Sequence, residues 1–306
     1  MSRLIRARTV RAIWCEGMQN LPLRDDNSAA TAVAPAVLLE REAALAAMAG
    51  ALESARQGSG CVVDIAGEAG IGKTALVREF MRPLGHGTLV LRGWCEDLST
   101  PRPLGPLVDM AGAIAPGLVD DLRAGVDHGQ IFNRLLVALQ GAPDPVVIVI
   151  EDIHWADQAT LDLIRFLGRR ARALGVALIV THRTEFVAAN PLIARALGDI
   201  EREALVRVAL APLSEGAVGQ LAMAAGQDGA GLFAATQGNP FYVTEVLASG
   251  GAGDPIPASV RDAVWSRVDR LDAASQRLLA ALAVLPRGGS HDMLRHISRP
   301  HRAAAL

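Results

Sequence analysis

One stretch of eight residues has the types and the spacing that phosphate chemistry requires. It runs from Gly67 to Thr74, reads Gly-Glu-Ala-Gly-Ile-Gly-Lys-Thr, and fits the pattern G-x-x-x-x-G-K-[ST]. Its glycines permit positive φ angles, so backbone N–H groups can approach a phosphate without a Cβ in the way. Lys73 would reach the β- and γ-phosphates of a nucleotide, and the Thr74 hydroxyl would bind Mg²⁺. The stretch therefore predicts a binding site for a nucleoside triphosphate.

The segments on either side of this loop are the ones that the motif needs. Residues 61–66 form a short, largely β-branched run that predicts a buried strand, and residues 75–80 predict a helix. The positive end of that helix and the N–H groups of the loop together form an anion site. The alternative is a glycine-rich turn that happens to end in Lys-Thr, and the two flanking elements argue against it. The predicted nucleotide-binding residues here are Gly67, Glu68, Ala69, Gly70, Ile71, Gly72, Lys73, Thr74 and Ala75.

Two carboxylates follow the most apolar stretch of the chain. Residues 146–150 are five consecutive β-branched apolar residues, typical of a parallel strand buried on both faces, and Glu151 and Asp152 come next. Ligands bind at the carboxyl ends of the strands in open α/β sheets. Hydrolysis of a triphosphate needs one carboxylate for the metal and one that orients or deprotonates the attacking water. We therefore predict Glu151 and Asp152 as catalytic residues, and Thr74 and Glu151 as Mg²⁺ ligands.

Two questions about these acids stay open at this stage. Successive strand residues face opposite sides, so both acids can serve only where the backbone begins to turn. Which of Glu151 and Asp152 contacts the metal is undecided, and the alternative is that they merely end the strand before a helix capped by Asp157.

Three further residues are candidates because of where they stand in the chain. Arg183 follows the apolar run 176–180, so it would sense the γ-phosphate or be a surface charge. Pro240, after Gly-Asn, begins a helix and either approaches the adenine or only shapes a turn. His154 would contact phosphate or pack as a buried side chain. We predict Arg183 as a catalytic residue and Pro240 as a nucleotide contact.

The amino-acid composition argues against several classes of protein. The chain has 306 residues, 51% of them hydrophobic, which is enough for a sizeable core. A net charge of −2 gives no basic field, so nucleic-acid binding is not supported. The three cysteines (15, 61 and 95) show neither metal nor disulfide spacing, which favours a reducing cytoplasm. No apolar run reaches the roughly 18 residues of a membrane helix.

The order of patterns predicts an α/β protein with a parallel sheet and helices on both faces. Besides the strands named above, we expect strands at 88–93 and 203–210, the latter at an edge. We expect a proline-rich loop at 99–107, helices at 38–56, 107–115, 128–140 and 158–173, and a helical region from 214 onward.

Together these motifs resemble the ATPase module of STAND-class P-loop NTPases, as found at the N-terminus of MalT-like, LuxR-type bacterial regulators and in some nucleotide cyclases. The resemblance lies in residues 67–74, 150–157, 181–183 and 238–240. Residues 38–42 resemble the Gly-Arg-Glu motif that opens this module, with Glu40 in place of the glycine.

The resemblance implies a three-layer α/β/α core followed by smaller units. The implied parts are a flexible extension at 1–36, the P-loop ATPase core at 37–212, a helical lid subdomain at 213–253, a partial winged-helix unit at 254–290 and a disordered tail at 291–306.

The same resemblance implies an ATP-binding, slowly hydrolysing switch that works with ATP, ADP and Mg²⁺. Glu151 and Asp152 become the acids of the metal site, Arg183 a sensor arginine, and residues 238–240 contact the nucleotide from the lid. Self-association in the ATP state and an unknown inducer or partner protein are implied. No recognition helix is visible, so we expect no specific DNA binding by this chain alone, as a truncated relative or a stand-alone module. The alternatives are a small-molecule kinase or other metabolic P-loop enzyme, and a module that keeps its nucleotide as a structural element.

Overall fold

The computed structural model describes most of the chain between residues 38 and 283. The described residues are 38–85, 87–98, 100, 102–142, 145–187, 190–250, 261–262, 264–265, 268–269 and 271–283. The predicted extension at 1–36 and the predicted tail at 291–306 lie outside them, as does much of the predicted winged-helix unit.

The centre of the described structure is a parallel sheet of five strands. The strands are β1 (Cys61–Ala66), β2 (Leu89–Trp94), β3 (Val146–Glu151), β4 (Val176–His182) and β5 (Leu205–Ala209). They lie in the order β2-β3-β4-β1-β5, and every neighbouring pair is parallel. Every residue of β3 and β4 is buried, and β5 is an edge strand, as the sequence predicted.

Helices surround this sheet and continue beyond it. In the described residues they are α1 (Glu42–Arg56), α2 (Lys73–Met81), α3 (Gly105–Ile114), α4 (Pro116–Ala124), α5 (His128–Gln140), α6 (Gln158–Gly168), α7 (Ala171–Leu174), α8 (Thr184–Val187), α9 (Pro191–Gly198), α10 (Glu215–Ala224), α11 (Leu232–Thr236), α12 (Pro240–Ser249) and α13 (Ala273–Ala283). Within these residues no helix is both long enough and apolar enough to span a membrane.

Alternation along the strands builds two hydrophobic layers. Val147 and Val149 of β3 belong to the cluster with α1 and α2, whereas Ile148 and Ile150 belong to the cluster with α3, α5, α6 and α9. Successive side chains of a strand point to opposite faces, so a continuous apolar run serves both layers. The predicted three-layer α/β/α arrangement is confirmed.

The segment after β2 differs from the prediction in two respects. The proline-rich loop expected at 99–107 ends early, because α3 already begins at Gly105 with Pro106 in its first turn. Proline is tolerated there, since the first N–H groups of a helix have no partner within the helix. Helix α4, which begins in the same way at Pro116, was not predicted.

Two predicted helices have different bounds in the structure. The helix expected at 38–56 begins only at Glu42. The helix expected at 158–173 ends at Gly168, where an added Cβ would lie 2.8 Å from the Ile200 side chain. The short α7 follows. Glycine at this position therefore permits the close approach of residue 200 to the end of α6.

The helices α10, α11 and α12 have a hydrophobic cluster of their own. Its fully or nearly buried members include Val218, Leu232, Val243 and Leu247, and Leu39 packs against it from the segment before α1. The start of α12 contacts the loop between β1 and α2.

Candidate nucleotide-binding site

The loop between β1 and α2 has the backbone that phosphate binding requires. Gly70 and Gly72 have φ angles of 80° and 98°, values that other residues rarely adopt. Helix α2 begins directly at Lys73, so its free N–H groups and its positive end face the loop. The strand–loop–helix context predicted from the sequence is confirmed.

Lys73 lies inside this loop. Its Nζ donates hydrogen bonds to the carbonyl oxygens of Gly67 at 2.7 Å and Glu68 at 3.0 Å, and the residue is buried. Burial lowers the pKa of Lys73 to about 8, while the carboxylate of Asp152 opposes the shift and the positive charge of Arg183 adds to it. An anion bound in the loop would satisfy this ammonium group better than the two carbonyl oxygens do.

The structure brings Thr74 and Glu151 together. The Thr74 hydroxyl donates to Oε2 of Glu151 at 2.7 Å, and Glu151 is fully buried. The described residues contain no group of three or more His, Cys, Asp or Glu side chains that could hold a metal ion. Mg²⁺ nevertheless needs few protein ligands, since it keeps several waters and uses nucleotide phosphates. A hydroxyl and a carboxylate oxygen are donors that fit Mg²⁺.

Glu151 and Asp152 separate at the end of β3. Glu151 is the last residue of the strand, and Asp152 has a φ of 58°, so the chain turns between them. The backbone N–H of Asp152 donates to the Thr181 hydroxyl at 3.0 Å. Burial raises the pKa of Asp152, and the charges of Lys73 and Arg183 oppose this shift. Glu151 thus faces Thr74, and Asp152 lies in the field of Lys73.

Arg183 belongs to the same electrostatic cluster. It directly follows β4, and its charge acts on both Lys73 and Asp152. Its guanidinium carbon lies 5.9 Å from the centre of the Phe186 ring. The His154 ring is 5.0 Å from the Phe186 ring and is buried, which favours packing rather than phosphate contact for His154.

The segment before α1 holds the loop from outside. Nη2 of Arg41 donates to the carbonyl oxygens of Ile71 at 3.2 Å and Ala211 at 2.9 Å. Glu40 has a φ of 57°, and its carboxylate accepts hydrogen bonds from the backbone and the hydroxyl of Ser214. Glu40 therefore occupies a left-handed position of the kind that glycine favours, and Ser214 binds its carboxylate.

The start of α12 holds the same loop from the helical region. Nδ2 of Asn239 donates to the carbonyl oxygen of Ala69 at 3.0 Å, and the N–H of Phe241 donates to that of Gly70 at 3.1 Å. Pro240 is the first residue of α12 and is buried between these two contacts. The structure thus places the predicted residue Pro240 at the loop.

Arg92 was not predicted as a functional residue of this site. It lies in β2 and donates through Nε to Oε1 of Glu151 at 2.8 Å. Asn239 was assigned to the nucleotide with the rest of residues 238–240, and in the structure its side chain contacts the loop. Nothing in the local sequence marks Arg92, since an arginine near a strand end is common. Its contact exists because β2 lies beside β3.

Residues 37–180 match the family model described as AAA ATPase domain. No curated protein matches the sequence.

Three solved structures have a similar fold. The ORC2 protein of Aeropyrum pernix, in ADPNP–ADP complexes, gives a TM-score of 0.57 at 15% identity over 85% of this chain and 79% of that chain. A Walker-type ATPase of Pyrococcus abyssi gives 0.54 at 12% identity, over 85% and 88%. The Aeropyrum pernix ORC1 protein in complex with DNA gives 0.53 at 20% identity, over 86% and 78%.

These identities are low, so the solved structures bear on the fold alone. The chain therefore has the α/β fold of P-loop ATPases, and residues 37–180 match the AAA ATPase domain.

Proposed function

We propose that this chain binds ATP and ADP with Mg²⁺ and hydrolyses ATP slowly, as a conformational switch of the STAND type. The observation that carries the proposal is the arrangement of Lys73, Thr74 and Glu151 around the loop. A buried ammonium group lies where phosphates would bind, and a hydroxyl and a carboxylate meet at 2.7 Å where the metal would bind. In this arrangement residues 67–75 bind the phosphates, and Pro240 approaches the nucleotide from the helical side.

The two acids take different roles in this proposal. Glu151, which accepts a hydrogen bond from Thr74, would hold the metal. Asp152 lies at the turn after β3 and would orient the attacking water. When bound, Mg²⁺ supplies charge stabilisation to the phosphates. Arg183 acts on the electrostatic environment of Lys73 and Asp152, and we assign it the sensing of the γ-phosphate.

The switch rests on the contact between the loop and the helical region. Asn239 and Phe241 bind the carbonyl oxygens of Ala69 and Gly70, which belong to the loop that would hold the phosphates. A nucleotide can shift such an equilibrium only by binding one arrangement better than the other. We propose that residues 213–253 form the lid and that ATP and ADP favour different positions of it.

The proposal also covers the regulatory role, the partners and the compartment of the protein. The motif resemblance suggests a role as the ATPase module of a LuxR-type regulator. It also suggests self-association in the ATP state and an inducer or partner protein. We expect no specific DNA binding by this chain alone. The cytoplasm is the compartment that we propose from the cysteine usage.

The test measures nucleotide released on denaturing freshly purified protein, together with single-turnover hydrolysis of added ATP. We expect bound ADP and slow turnover that needs no acceptor molecule, both lost in Lys73→Ala. In Asn239→Ala we expect nucleotide to bind but the proteolysis patterns with ATP and with ADP to become alike. Arg82→Ala, which removes an exposed ion pair with Glu79, is the control. Protein that binds neither nucleotide would refute the proposal, and turnover only with an added acceptor would indicate a kinase.

A further inference from the structure

Both oxygen atoms of Glu151 are already bound by protein groups. Oε2 accepts from the Thr74 hydroxyl at 2.7 Å. Oε1 accepts from Nε of Arg92 at 2.8 Å and also from its Nη2. Glu151 is fully buried, so the guanidinium group supplies the positive charge that a buried carboxylate needs. The carboxylate of the predicted metal site is thus neutralised without any metal.

The Arg92 side chain is partly exposed and also contacts a second residue, Trp94. Its side chain is 24% exposed, compared with 1% for that of Glu151. Its guanidinium carbon lies 4.6 Å from the centre of the Trp94 ring, and Trp94 is 42% exposed. In the described part of the chain, all the side-chain hydrogen bonds of Arg92 go to Glu151. The guanidinium group can therefore move toward solvent along the indole and keep a cation–π contact there.

We propose that Arg92 is a counter-ion that competes with Mg²⁺ for Glu151, and that it sets the metal affinity of the site. A guanidinium group and Mg²⁺ repel each other, and both gain by approaching the same carboxylate. Arg92 stabilises Glu151 in the metal-free protein, and its guanidinium group would move toward Trp94 when Mg²⁺ binds with the nucleotide. The inference rests on the proposed function, because it concerns the metal site of that function.

This role separates stability from metal affinity. Removing the arginine leaves a buried carboxylate without its partner, which destabilises the metal-free protein. The same change removes the competitor, so Mg²⁺ should bind more tightly. If Arg92 only supported the architecture, its removal would lower both the stability and the metal affinity. The two readouts therefore move in opposite directions only if Arg92 competes with the metal.

The experiment compares wild type with Arg92→Met, Arg92→Lys and the exposed-site control Arg82→Met. Thermal unfolding without metal gives stability, and Mn²⁺ binding to nucleotide-free protein, followed by electron paramagnetic resonance, gives metal affinity. The affinity for a fluorescent ADP analogue is then measured in EDTA and in Mg²⁺. We expect Arg92→Met to lower the melting temperature, to bind Mn²⁺ about tenfold more tightly, and to gain more nucleotide affinity from Mg²⁺ than wild type does.

Two further measurements use Arg92→Lys and the fluorescence of Trp94. Arg92→Lys keeps the charge but makes a weaker pair, so it should fall between wild type and Arg92→Met; it carries the test if the methionine variant fails to fold. Mg²⁺ added to ADP-bound wild type should change the tryptophan fluorescence, and the change should vanish in Trp94→Phe and in Arg92→Met. Unchanged or weaker Mn²⁺ binding in the Arg92 variants overturns the inference. Wild type that binds no ADP analogue in either condition contradicts the proposed function instead, and Mn²⁺ binding still tests Arg92.

Discussion

Lys73 is the only lysine in the chain, and its environment predicts a proton-linked binding reaction. Burial lowers its pKa from 10.5 to about 8, so a fraction of the side chain is neutral just above neutral pH. A phosphate placed beside the ammonium group would favour the charged form and raise the pKa again. Binding of ADP should therefore take up protons. With a free-protein pKa of about 8, uptake should be about half a proton per ADP at pH 8 and about 0.9 at pH 9.

The same shift predicts how the stability of the nucleotide-free protein depends on pH. Below pH 8 both the folded and the unfolded chain keep Lys73 protonated, so the folded state bears the full free-energy cost of burying the charge. Between about pH 8 and 10.5 the unfolded chain binds more protons, so the Lys73 contribution to the free energy of unfolding increases with pH. The whole shift corresponds to about 3 kcal/mol.

A direct assay exploits the single lysine. Selective ¹³C labelling of lysine gives one side-chain signal, which is titrated without metal, with and without ADP. Calorimetry in two buffers of different ionisation enthalpy counts the protons taken up. Lys73→Arg is the matched control, since its guanidinium stays charged at every pH used. A free-protein pKa near 10.5, or the same proton uptake in wild type and Lys73→Arg, would refute the reasoning.

Two further predictions concern the backbone near the loop. Glu40 has a positive φ and its carboxylate binds Ser214, so Glu40→Ala should lower the free energy of unfolding by about 1–2 kcal/mol. Glu40→Gly should lower it by less, because glycine removes the backbone strain. Urea unfolding in which the alanine variant is more stable than the glycine variant would contradict this. Gly238→Ala should cost about 3 kcal/mol, since φ is 71° and a Cβ would lie 2.1 Å from the Leu213 carbonyl oxygen. The control Gly50→Ala lies in helix α1 with open space around it and should be neutral or stabilising.

Local patterns accounted for the parts of the fold that depend on neighbours in the chain. The loop at 67–74, the buried strand ending at Glu151 and the edge strand β5 were predicted because each is specified within a few residues. The missed helix α4 and the early start of α3 share one cause. Proline was interpreted as a helix breaker, whereas at the first turn of a helix it is tolerated.

The contacts that surround the loop could not be obtained in this way. Arg41 and Asn239 stand far from the loop in sequence, and each binds one of its carbonyl oxygens. The motif resemblance included both segments, and it assigned residues 238–240 to the nucleotide rather than to the loop. A hydrogen bond between distant segments depends on how helices and strands pack, and no period in the sequence encodes it.

The sequence by itself determined which groups the candidate site contains: a glycine-rich loop, an ammonium group, a hydroxyl and two carboxylates at a strand end. These features are local, because a strand, a tight turn and a helix follow from adjacent residues. Only the tertiary structure decided how that chemistry is held. The strand order places β2 beside β3, so Arg92 reaches Glu151, and the packing of α12 brings Asn239 to the loop. Such contacts join residues far apart in the chain, and the compact fold fixes them.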